Sequence, residues 1–211
     1  MKIEEQILAK THASTLVAGV DEVGRGALFG PVVASAVVIA SSDLSQLNEI
    51  AAKDSKKLSH KRRLALAEQI KAVVVDWRIG YAKAQEIDEI NILQASLQAM
   101  KRAVEKLMPP PDLCFVDGRF ALPELSLPQV ALKQGDARSR AIAAASIIAK
   151  VWRDDLIVRV WGEQYPQYHL AANKGYGTAA HCLALKKYGP SPQHRLSFRP
   201  CRFPQRVTNN K

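Results

Sequence analysis

The chain has 211 residues, 47% of them apolar and 24% charged, so it can bury a core unaided and resembles an ordinary globular protein. No apolar run approaches the ~20 residues of a membrane span, residues 1–10 lack the apolar stretch of a signal peptide, and the odd, widely spaced Cys114, Cys182 and Cys201 do not suit a disulfide framework, so a cytoplasmic protein is expected. Thirty Lys and Arg against twenty Asp and Glu leave a formal charge of +10, which points to a polyanionic partner because each phosphate contact releases condensed counterions.

Two runs rich in Val, Ala and Ile, Leu16 to Val20 and Val32 to Ala40, predict strands separated by Gly-rich punctuation. Directly after the first run stand Asp21 and Glu22, followed by Arg25 between Gly24 and Gly26. Acids are among the residues least often buried, so this pair calls for a compensating cation. Farther on, Ser59 is a predicted N-cap for a helix with Leu64, Ala67, Ile70 and Val74 at helical spacing. Lys61, Arg62 and Arg63 fill its first turn, where cations oppose the helix dipole by roughly a few tenths of a kcal/mol each unless they face phosphate.

Val73 to Ala82 is the next predicted strand, and Leu93, Leu97, Met100, Val104 and Leu107 form the core stripe of a helix closed by Pro109-Pro110-Pro111. Leu113 to Val116 and Gln129 to Leu132 predict short strands that lead to Asp117 and Asp136. A strongly helical, small-residue segment then runs from about Ser139 to Trp161, and a shorter helix covers Ala179 to Tyr188. Irregular and proline-broken stretches around that last helix divide the chain into a core over residues 1–164 and a C-terminal helical appendage over 165–211.

Four acids stand apart from the rest by context: Asp21, Glu22, Asp117 and Asp136 each adjoin a predicted strand, where α/β folds place ligand-binding groups. If those strands are neighbours the carboxylates converge, and like charges at such range raise one another's pKa unless cations intervene. All-oxygen ligation suits Mg²⁺ or Mn²⁺, and the cysteines and histidines show no zinc spacing. A basic protein with a two-metal carboxylate site points to phosphoryl transfer on nucleic acid.

These residues, in order, resemble bacterial ribonuclease HII. The resemblance rests on Asp21-Glu22-Val23-Gly24-Arg25-Gly26, Asp54-Ser55-Lys56-Lys57-Leu58-Ser59, Val116-Asp117-Gly118, Gly135-Asp136, the run from Ile142 to Val151 with Arg153-Asp154, Lys174-Gly175-Tyr176, and His194-Arg195 with Ser197-Phe198. It implies a ribonuclease H-like α/β fold, with a mixed five-stranded sheet flanked by helices and a C-terminal helical extension. It also implies endonucleolytic cleavage of RNA in RNA/DNA hybrids and at ribonucleotides embedded in duplex DNA, leaving 5′-phosphate and 3′-hydroxyl ends. Asp21, Glu22, Asp117 and Asp136 would be the catalytic metal ligands. The Gly24-Arg25-Gly26 backbone would read the 2′-hydroxyl, as glycines allow close approach, and Tyr176 would pack on the neighbouring deoxyribose.

Lys56, Lys57, Lys150, Lys174, His194 and Arg195 are candidate phosphate contacts. The expected protein is a monomer that meets nucleic acid and no membrane, with room for a sliding-clamp partner. Two positions depart from the family pattern: His169 stands where glycine is common and Asn173 where histidine is common, which bears on loop geometry and substrate affinity rather than on the four acids. A DNA-only nuclease on the same fold, such as a junction resolvase, would have no 2′-hydroxyl for the glycine turn to read. A basic binding module would leave the acids unexplained.

Overall fold

The computed structural model describes residues 2–9, 12–47 and 59–202. In chain order the main elements are α1 (Lys2–Leu8), β1 (Leu16–Val23), β2 (Val32–Ala40), α2 (His60–Val73), β3 (Asp76–Ala82), α3 (Ala84–Val104), β4 (Leu113–Asp117), β5 (Gln129–Leu132), α4 (Arg140–Leu156), α5 (Leu170–Asn173) and α6 (Ala179–Tyr188). The strands form one mixed sheet in the order β3-β2-β1-β4-β5. β1 to β3 pair antiparallel, whereas β4 and β5 join parallel to β1. This is the expected five-stranded α/β architecture. None of the helices among the described residues is long and apolar enough to cross a membrane.

Strand alternation splits the core into two layers. Val17, Val37, Ile39 and Phe115 pack on one face against Ala141, Ala144, Ala145 and Ile148 of α4 and Ile70 of α2. Ala18, Val20, Val38 and Val116 pack on the other against Ala95, Ala99, Met100 and Ala103 of α3. The small residues of α4 matter because the helix lies almost on β1: a Cβ added to Gly19 would sit 2.1 Å from the Ala141 carbonyl carbon. Leu28, Phe29, Ile157, Tyr168, Leu170 and Leu185 form a third apolar cluster that ties the C-terminal segment to the turn after β1.

Most element ends follow the predicted chemistry. The Ser59 hydroxyl accepts from the Arg62 N–H and the Ser139 hydroxyl from the Ile142 N–H, as N-caps do. Three ends differ. The strand predicted from Val73 starts at Asp76, since Val73 still belongs to α2. The long helix ends at Leu156 and passes into a π turn, Ile157–Trp161. β1 runs on to Val23, because its ladder with β2 continues through Asp21↔Ser35 and Glu22↔Ala34.

Glu4 of α1 is fully buried, with one carboxylate oxygen accepting from the Ser139 hydroxyl at 2.7 Å and the other from the Arg140 N–H at 2.9 Å. A carboxylate suits the positive end of α4. Sequence periodicity carries no trace of this contact.

Candidate active site

The parallel pairing of β1 with β4 sets Val20 opposite Val116, so Asp21 and Asp117 come next at the same end of the sheet. β5 runs the same way, with Leu132 opposite Asp117, and the Gly135–Ala137 turn just beyond carries Asp136. Asp21 and Glu22 lie within the last turns of the β1 ladder rather than past it, so their side chains leave opposite faces of the strand. Even so, one carboxylate oxygen from each of Asp21, Glu22 and Asp117 lies within 4.8 Å of the others. Asp136 lines the same cleft, together with Val23, Arg63, Gln134, Ser146, Lys150 and Tyr176. The Gly135 N–H donates to Asp117 Oδ1 at 2.6 Å, which locks the turn bearing Asp136 to the strand bearing Asp117.

Burial, reinforced by the charges of Glu22 and Asp117, pushes the Asp21 carboxyl well above the usual carboxylate range. A hydrogen bond from Ser146 and the Glu22 N–H, 2.7 Å from Asp21 Oδ1, act against that shift without cancelling it. Burial also raises Glu22, opposed by the Arg25 guanidinium 3.0 Å away. Three crowded acids, with no cysteine or histidine among the described residues of the cleft lining, make an oxygen-only donor set that fits a hard divalent cation.

The turn after β1 is built from beneath by two buried arginines. Arg153 donates through Nε to the Pro31 carbonyl (3.1 Å), through Nη1 to Lys174 (3.0 Å) and through Nη2 to Phe29 (3.1 Å). Arg195 donates through Nε to the Gly30 carbonyl (3.0 Å) and through Nη1 to Arg25 (2.8 Å). Gly24 has φ +88°, and a Cβ there would lie 2.1 Å from Arg153 Nε, so only glycine fits. The Arg25 and Gly26 N–H groups have no hydrogen-bond partner among the described residues.

Several predicted contact residues take other positions. His194 and Arg195 are buried under the turn; both ring nitrogens of His194 and the Nε and Nη1 of Arg195 are engaged by the protein, so neither residue lies on the turn's surface. The Arg25 side chain, between the two glycines, pairs with Glu22. Lys150 lines the cleft and pairs with Asp154 at 2.7 Å; Lys174 turns back to the Ala171 carbonyl. Tyr176 pairs with Ala27 in a β-bridge, and its ring lies 5.5 Å from Lys150 Nζ and 5.4 Å from the Arg153 guanidinium. Lys56 and Lys57 lie outside the described residues. Sequence reasoning singled out no role for Ser146, and gave none to Asp88, whose carboxylate accepts the Leu196 and Ser197 N–H groups and fixes the segment after Arg195.

The two departures from the family pattern now have a geometry. Asn173 donates from Nδ2 to the Tyr168 carbonyl (2.7 Å) and accepts the Gly175 N–H at Oδ1 (2.8 Å), so a short amide bridges the turn before Tyr176. His169 has φ 54°, ψ 39°, the left-handed region in which glycine is free of strain. His169→Gly is therefore expected to raise stability by up to about 1 kcal/mol, the left-handed penalty less the entropy of glycine, read as a higher melting temperature with unchanged cleavage. A lower melting temperature would show that the imidazole makes a compensating contact.

A family model described as Ribonuclease HII matches residues 18–201. Among curated proteins, the chain is 59% identical over 193 residues to Ribonuclease HII of Trichormus variabilis, covering 92% of this chain and 85% of that one. It is 58% identical over 189 residues to Ribonuclease HII of Microcystis aeruginosa, covering 90% of each. Among solved structures, ribonuclease H2 from Pyrococcus horikoshii superposes with a TM-score of 0.73 at 28% identity, over 89% of this chain and 96% of that one. The RNase HII in a complex with PCNA from Archaeoglobus fulgidus gives 0.69 at 30% identity, over 82% of this chain and 86% of that one.

Proposed function

The chain belongs to the ribonuclease HII family, a metal-dependent ribonuclease hydrolase acting on the RNA of RNA/DNA hybrids, and we propose that it also cuts at single ribonucleotides embedded in duplex DNA. The observation that carries this reading is the fusion of two elements on one short segment: Asp21 and Glu22 in the carboxylate group, and the Gly24 to Gly26 turn directly after it.

Asp21, Glu22, Asp117 and Asp136 would hold Mn²⁺ or Mg²⁺ in a two-metal arrangement. Bound there, the metals would supply an activated water and stabilise the leaving 3′ oxygen, giving 5′-phosphate and 3′-hydroxyl ends. The protein's own part is placement. The unbonded Arg25 and Gly26 N–H groups suit a 2′-hydroxyl, which both donates and accepts. Tyr176 adds an aromatic ring to the lining of the same cleft, where a deoxyribose would pack and a 2′-hydroxyl would crowd. Lys150 and Arg63 add positive charge to the lining, while Lys56, Lys57 and Lys174 are read as phosphate contacts. Residues 165–211 serve as the appendage that completes the substrate surface, and Tyr176 and Arg195 come from it.

We read the protein as a cytoplasmic monomer. The Archaeoglobus relative's complex with PCNA supports a sliding-clamp partner here as well.

The deciding experiment incubates the protein with a duplex containing one ribonucleotide in Mg²⁺, Mn²⁺ or EDTA. Cleavage beside the ribonucleotide with either metal, and none in EDTA, is expected; failure in both metals while an all-RNA hybrid is cut would remove the embedded-ribonucleotide reading. Tyr176→Ala should lower kcat/KM on that duplex by about tenfold, the order of one base- or sugar-stacking contact, with a melting temperature near that of the parent.

A further inference from the structure

Beneath the Tyr176 turn, two histidines form a hydrogen-bond chain whose direction is fixed at both ends. His194 Nδ1 receives the Ser191 N–H at 2.9 Å, and a backbone N–H can only donate. That nitrogen therefore presents its lone pair, so the neutral ring carries its proton on Nε2. His194 Nε2 lies 3.0 Å from His181 Nε2, which must then accept. The remaining proton of His181 sits on Nδ1, 2.9 Å from the Tyr176 carbonyl, which can only accept. Along this chain every ring N–H meets an acceptor, and the Ser191 hydroxyl, also 2.9 Å from His194 Nδ1, is then a donor to that nitrogen beside the Ser191 N–H. Both rings are buried, at 0% and 2% exposure, so water does not offer an alternative partner.

We propose that His181 and His194 are positioning residues for Tyr176, forming a one-way relay, His194 as the Nε2–H tautomer and His181 as the Nδ1–H tautomer, that holds the Tyr176 carbonyl and so the ring at the cleft. The inference rests on the reading that Tyr176 contacts substrate. The relay anchors Tyr176 to the Ser191 turn, which belongs to the same segment as Arg195, and hence to the glycine turn that Arg195 supports.

Acid breaks the relay, because a second proton on His194 opposes the Ser191 N–H, and one on His181 opposes the His194 N–H. The groups facing the pair are Phe29 from the turn after β1, Tyr168 and His169 from the turn before α5, Ser191, and the Tyr176 carbonyl. Burial, joined by the neighbouring imidazole, lowers His194 to about 4, and burial lowers His181. A depressed imidazole pKa means that the folded state binds fewer protons than the unfolded one below about 6.5. The relay is intact above that value and its contribution is lost as pH falls toward 4.

¹⁵N NMR of histidine-labelled protein at pH 7.5 is expected to show one Nε2–H and one Nδ1–H neutral ring, assigned to His194 and His181 by their substitution. The opposite tautomer at either site, or a charged ring, overturns the relay. In kinetics on the one-ribonucleotide duplex, His181→Leu is expected to lose about tenfold in kcat/KM, the order of one buried hydrogen bond, mostly through KM. His181→Asn, whose amide nitrogen reaches where Nδ1 stood, should recover most of that loss. Equal loss in two folded variants would overturn the positioning role, and if the leucine variant fails to fold the tautomers decide. Wild-type cutting by Tyr176→Ala would instead sink the reading of Tyr176 as a substrate contact, leaving the tautomer result to stand by itself.

Discussion

Asp21→Asn is expected to abolish cleavage, by at least about a thousandfold, while raising the melting temperature of the metal-free protein. The activity loss follows from removing a carboxylate from a group whose oxygens lie within 4.8 Å of one another, where metal chemistry contributes several kcal/mol to the barrier. The stability gain follows from the electrostatics of the same cluster. Asp21 is buried and its carboxyl is held well above the usual range, so ionised Asp21 destabilises the fold. In sign terms, a raised carboxyl pKa means the folded state retains its proton longer than the unfolded chain, so without metal this group costs stability as pH climbs above about 4. Asparagine removes that cost, and each kcal/mol relieved raises the midpoint by roughly 2–4 °C in a chain of this size. The check is thermal unfolding in EDTA at pH 8 and pH 4: the variant should lead at pH 8 and lose its lead at pH 4. Hybrid binding should stay within a few fold, since one negative charge leaves the cleft with the ligand.

Arg153→Leu is expected to have the largest effect on folding, about 3–5 kcal/mol, or a fall in melting temperature on the order of 10 °C. Its guanidinium is fully buried and satisfies the carbonyls of Phe29, Pro31 and Lys174. Leucine would leave those acceptors without partners, each costing roughly 1–3 kcal/mol, though some relaxation recovers part. Cleavage should fail in step, because the same carbonyls hold the glycine turn and the Lys174-Gly175-Tyr176 turn in register. A melting temperature within 3 °C of the parent would show that the carbonyls find other donors.

Much of this arrangement was legible from local pattern. The β2 and β5 strands, the Ser59 cap, the α6 helix and the apolar stripe of α3 all follow from periodicity and capping chemistry acting within a few residues. The parallel pairing that brings Asp21 and Asp117 together joins positions 96 apart, such as Val20 and Val116, and leaves no mark in either strand. The acids themselves could be singled out because charge beside an apolar strand is costly wherever the strand goes. The buried arginines were the hardest to read. A guanidinium that caps carbonyls and one that faces phosphate have the same sequence context, a basic residue in a basic chain, and only the path of the chain after Trp161 decides between them. His169 and Asn173 show the reverse, since departures from a pattern were visible at once but their consequence awaited φ angles and amide contacts.

The contact between Glu4 and the start of α4 also bears on the order in which the molecule can assemble. Glu4 and Ser139 are 135 positions apart. During synthesis α1 therefore waits without this partner until the residues 135 positions later have been made. The helix that carries Ser146, Lys150 and Arg153 then meets at its start a carboxylate made long before it, while the arginine clamp awaits Arg195, made later still.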